Sequence, residues 1–110
     1  MNDAERRQLQ SYLSRSEADL LAELELYDDT SRGAGDTWNK VAGPLRQRLC
    51  VEWNWCRVRQ DARFDDDLAL AAAVVGVLAS RTLDLPIPAD LALLAAIVVK
   101  RGLDALCGCL

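Results

Sequence analysis

Four cysteines are the most reactive side chains of this 110-residue chain, and they fall in two spacings, Cys50-x5-Cys56 and Cys107-Gly108-Cys109. Thiolates are nucleophiles and soft metal ligands, so a converging set of them makes a zinc centre or a redox pair. On one helix, Cys50 and Cys56 point about 120° apart and stand about 9 Å apart along the axis, which puts them beyond bridging distance of each other. A four-thiolate site therefore needs the tail to fold back onto the helix that carries them, and neither spacing is standard for zinc ligands. The expectation is free thiols, buried or terminal, with no metal and no cofactor. A small thiol or zinc protein is the alternative.

Other catalytic chemistry is scarce. The chain has no histidine, the commonest general base and metal ligand. Its carboxylate runs, Asp28-Asp29 and Asp65-Asp66-Asp67, adjoin helix boundaries, where Asp is favoured for capping alone. The glycines are scattered, and "RGAGD" lacks the Lys-Ser/Thr of a phosphate loop. No catalytic residue and no small-molecule substrate emerge, and a non-enzyme is expected.

The net charge of −4 is unevenly spread. Residues 1–36 carry nine acids and four bases, residues 37–63 two acids and six bases, and the remainder six acids and three bases. An acidic total disfavours nucleic acid and anionic membranes, both of which require surplus Lys and Arg. Even in the basic middle, Arg46 and Arg57 fall on one side of a helix while Arg48, Arg59 and Arg63 fall on the other, so no continuous basic face forms and no nucleic-acid partner is expected.

These side chains must be positioned by helices. Hydrophobic residues make up 51% of the chain and aromatics 5%, an Ala/Leu/Val composition that fits aliphatic helix packing. The length suits one domain over 1–110: an all-α compact bundle of four or five helices with a C-terminal apolar helical hairpin. Leu9, Tyr12, Leu13, Leu20, Leu24 and Tyr27 fall within about 120° at helical spacing, either as one helix or as two broken near Ser14–Ser16. The stretch from about 29 to 36, "DTSRGAGD", reads as a flexible loop.

Pro44 suits the first turn of a helix running to about Arg59 or Gln60. That helix has two apolar arcs, which marks it as the central one. Leu45, Leu49, Trp53 and Cys56 form the arc expected in the core. Val51, Trp55 and Val58 form the other, which either packs inside the monomer as well or, with Arg48 and Arg59 beside it, is the candidate surface for a protein partner or a second copy.

The apolar runs Leu68–Ala79 and Leu91–Val99 span about 18 and 14 Å as helices, against about 30 Å of hydrocarbon, so no stable membrane span is expected. Asp65–Asp67 and Pro88 with Asp90 supply start signals, and Lys100, Arg101 and Gly102 supply a stop. The hydrophobicity then reflects enclosure. Leu83, Leu85 and Ile87, in the connection, either cap the core or stay exposed. A membrane-active effector using the 68–99 hairpin is a second functional alternative.

The combination of "EWNWC", the Asp cluster, the hairpin and "VVKRGLDALCGC" resembles small bacterial proteins that end in a Lys-x-Gly-Leu-Asp-x-Leu-Cys pattern, over about Cys50–Cys109. The matching positions are Lys100, Gly102, Leu103, Asp104, Leu106 and Cys107, with Trp53, Cys56 and Asp65–Asp67 upstream. The resemblance implies a link to bacterial defence or conflict loci. Met1–Leu13 is polar and lacks the apolar stretch of a secretory leader, so a cytoplasmic location is expected. The functional expectation is a non-enzymatic protein-interaction or adaptor module.

Overall fold

The structure, a computed structural model, describes residues 2–30 and 34–109. The described residues are all-helical, as the composition implies. Helix α1 (Asp3–Leu13) is capped by Asn2, whose Oδ1 accepts the Glu5 N–H at 2.8 Å. The chain breaks at the serines and restarts as α2 (Glu17–Glu25), capped by Ser16 through the Asp19 N–H at 3.1 Å. The first segment is thus two helices, and the serine two residues beyond Ser14 supplies the second cap. Leu9, Leu20 and Leu24 are fully buried, with Tyr12, Leu13 and Tyr27 half-buried around them, so the expected stripe faces the core.

Helix α3 (Ala34–Arg46) begins inside the stretch expected to be a loop, and residues 31–33 of that stretch lie outside the described residues. Pro44 does not open a helix; it sits within α3, where its missing N–H leaves the Lys40 carbonyl without its usual donor. Three residues later the backbone widens into a π-helical segment, Gln47–Glu52, closed by the Trp53 N–H donating to the Arg48 carbonyl at 3.0 Å. Asn54 then takes a left-handed conformation (φ 58°), the sole positive φ outside glycine among the described residues, and α4 (Trp55–Val58) starts anew. The single helix expected from Pro44 to about Arg59 or Gln60 is therefore three pieces: the end of α3, a π segment of wider pitch, and α4.

A 3-10 turn, Ala62–Asp65, capped by Asp61, leads to α5 (Asp67–Ala79), whose N-cap is Asp66. Helix α6 (Leu91–Arg101) is capped by Asp90 and ends at Gly102 (φ 95°), as the Lys-Arg-Gly signal predicts. Every residue from Leu93 to Val98 is buried, because α6 packs on α1, α2, α5 and the short α7 (Leu103–Cys107). The central helix is α6 rather than the Trp-bearing segment.

At 13 residues, α5 spans about 20 Å, and no helix among the described residues is long and apolar enough to cross a membrane. The connection caps the core: Ile87 is buried and Leu83 and Leu85 pack half-buried against it. Asp90 has a second role, accepting from Tyr12 Oη at 3.2 Å and Gln8 Nε2 at 3.1 Å, which pins α1 to the start of α6. Burial, then the nearby Asp90 charge, pushes the Tyr12 phenol well above its ordinary range.

Candidate interaction surface

The tail does fold back, and its two cysteines pair with the two upstream. Cys50, on the π segment, is bonded to Cys107, and Cys56, on α4, to Cys109, with Cα–Cα separations of 5.3 and 5.4 Å. No cysteine is free, which corrects the expectation of four thiols. Cys50 and Cys56 do not bridge each other; each pairs with a partner more than fifty residues away. Spacing along one helix could not show those partners. With the sulfurs bonded to one another there are no thiolates to offer a metal, and no cluster among the described residues could hold one.

Around the bridges, polar contacts fix α4 to α7 and aromatic ones tie α4 to the 3-10 turn that follows it. The buried Trp55 donates its Nε1–H to Asp104 Oδ1 at 2.8 Å, and Arg59 pairs with Asp104 Oδ2 at 3.2 Å. Trp53, Trp55 and Phe64 form a triangle with ring centres 5.5 to 5.7 Å apart, tilted or edge-on as ring quadrupoles prefer. Leu103 is buried, and Leu106 and Cys107 pack beside it on the expected face of the tail. Gly108, left-handed at φ 66°, closes α7 and aims Cys109 back at Cys56.

The five residues expected on a partner surface are not brought together as one. Val51 is exposed at 64%, whereas Trp55 (5%) and Arg48 (7%) are interior, and Val58 and Arg59 are half-buried. The cause is the change of pitch. A π turn holds more than 3.6 residues, so positions after Gln47 rotate away from the 100° register, and the break at Asn54 swings Trp55 inward. Trp53, expected in the core, is the half-buried member and lines an open groove of about 360 Å³ between the π segment and α5. Gly76 and Ala73 form the opposite wall, and Glu52 and Arg81 stand at the rim.

Arg48 is structural. Its guanidinium lies under the C-terminal end of α5 and donates to the carbonyls of Val77, Leu78, Arg81 and Thr82 at 3.0 to 3.3 Å. Val77 and Leu78 belong to the last turn of α5, where the carbonyls carry the negative end of the helix dipole, and Arg81 and Thr82 follow in the connection, so one cation holds the helix end and the turn after it. Glu52 balances it at 3.3 Å from Arg48 Nε and also pairs closely with Arg81.

A second constellation escaped sequence reasoning. Asp28, 7% exposed, accepts from the Thr30 N–H (3.1 Å), Thr30 Oγ1 (3.0 Å), Thr37 Oγ1 (3.1 Å) and Lys40 Nζ (2.8 Å). The Lys40 ammonium, first, and these hydrogen bonds hold its carboxyl at about 2 against the opposing effect of burial. The clasp ties the end of α2 to α3. The Asp-Asp-Thr at 28–30 carried a legible signal for it, since an Asp two residues before a polar N–H favours an Asx-turn.

Compared with known proteins, the chain matches no family model, no curated protein and no solved structure.

Proposed function

We propose that the chain is a non-enzymatic protein-interaction module whose contact face is the Trp53 groove, with Val51 beside it. The observation that carries this reading is the half-buried Trp53 on a groove wall, two residues after a strongly exposed Val51, on a frame made rigid by two disulfides. Aromatic side chains on preorganised frames are where binding energy concentrates. The groove carries Arg48 and Arg81 against Glu52, one cation in excess, in a chain of net charge −4. The occupant that complements it is a partner segment presenting an apolar side chain beside a carboxylate. The non-enzymatic reading is supported by how the carboxylates are used: Asp61, Asp66 and Asp90 cap helices, and Asp28 is committed to its clasp.

The two cystines favour an oxidising compartment over the cytoplasm expected from the sequence. A bacterial defence or conflict setting rests on the resemblance of the C-terminal pattern, and the neighbouring genes test it.

Peptide selection from a random library, run on the oxidised protein and on Trp53→Ala and Val51→Glu, tests the contact face. Enriched peptides should pair an apolar residue with an acidic one and lose binding to both variants. Peptides that bind the variants as well as the parent would refute it. Concentration-dependent self-association abolished by Val51→Glu would assign the face to a second copy instead.

A further inference from the structure

We infer that the cleft between the C-terminal end of α6 and α3 is an anion site, suited to a small-molecule phosphate monoester. Arg46, Lys100 and Arg101 line an open cleft of about 350 Å³ together with one acid, Glu17, and this cleft shares no lining residue with the Trp53 groove. Arg101 is held in place: its Nη1 lies 3.3 Å from Glu17 Oε1 and its guanidinium sits 4.7 Å above the centre of the buried Trp38 ring. Arg46 is fixed through Nε, which donates to the Leu106 carbonyl at 3.4 Å, so its terminal N–H groups are left for another acceptor. Lys100 makes no ion pair among the described residues. Three cations against one carboxylate leave an excess of two positive charges, in a chain whose total is negative.

Helix-end electrostatics accounts for Lys100 and Arg101, which close α6. It does not account for Arg46, because the backbone runs through Arg46 into the π segment without a terminus. Cations from two separate helices therefore converge where like-charge repulsion opposes it, and a dianion relieves that repulsion. A phosphate monoester supplies the charge and the acceptor oxygens that two guanidinium forks and an ammonium recognise. The size of the cleft leaves room for the organic body of the ligand beside Ala105 and Leu106.

The test is an NMR titration of the full-length oxidised protein with inorganic phosphate as probe, with sodium chloride at matched ionic strength as control. Saturable shifts should appear at the Arg46 and Arg101 Nε–H and the Trp38 indole N–H, and not at Arg57 or Arg63. Arg46→Gln and Lys100→Gln, both at exposed positions, should each weaken binding about three- to fivefold, while Lys100→Arg retains it. Shifts that never saturate, that spread equally to Arg57 and Arg63, or that persist unchanged in both Gln variants would overturn the site.

Discussion

The α5–α6 hairpin and the α4–α7 face are held together by different physics. The hairpin is a continuous aliphatic contact in which Leu70, Ala71, Val74 and Leu78 meet the buried run of α6, so many interchangeable contacts share the load. The α4–α7 face joins a four-residue and a five-residue helix, too short to persist on their own, and relies on two covalent bonds, one from α4 and one from the π segment before it, with one indole hydrogen bond and one ion pair. Short elements with little area to bury are cross-linked; long ones are packed. Each region should then fail under a different challenge.

Removing both disulfides, by reduction or by replacing all four cysteines with Ala, should have the largest effect. A bridge between cysteines 57 positions apart contributes about 4 kcal/mol by the chain-entropy account, and the second, closing only the ring of residues 50–56 and 107–109, adds about 3 kcal/mol. Denaturant melts measure the total. Hydrogen exchange sharpens the comparison, because α7 amides should lose protection while those of α5 and α6 keep it; uniform loss would mean the two regions are one cooperative unit.

Next in size, Trp55→Ala should cost about 3–5 kcal/mol as a buried aromatic that also leaves Asp104 short of a donor, and Trp53→Ala clearly less because Trp53 is half-exposed. Equal losses in chemical denaturation would contradict the inward placement of Trp55. Arg48→Met should follow at about 2–4 kcal/mol, since carbonyls in the last turn of α5 and in the connection after it lose a donor and Glu52 keeps only Arg81. Thermal melts check it, and the loss should appear in the aliphatic hairpin, not at α7.

The smallest effect is one of pH. Asp28 titrates at about 2 in the folded chain against an ordinary 3.8, so its contribution is fully present above about pH 4 and lost as pH falls through about 2. Stability measured across that window should fall less steeply in Asp28→Asn than in the parent.

What the sequence made legible follows from the range of the forces involved. Helices α5 and α6 were readable to within a residue or two because Asp66, Asp90 and Gly102 act on their immediate neighbours. The stretch from 44 to 60 was not, because a residue-by-residue rotation of 100° presumes one pitch, and the π segment and Asn54 break that presumption. The exchange of roles between Trp53 and Trp55 is the direct result. Cystine pairing was hidden for another reason: it joins residues distant in sequence, and the cytoplasmic location that the polar amino-terminal segment suggests is one where thiols stay reduced.

The two bridges link first to third and second to fourth cysteine, so each closed loop contains one end of the other. Any protease cutting once between residues 57 and 106, the exposed turn at Arg81 and Thr82 included, leaves two fragments joined by both bonds. A cut on the amino-terminal side of Cys50 detaches its fragment from any covalent tie. Residues 50–109 thus survive nicking as one covalent body, while α1 and α2 are held by packing and polar contacts alone.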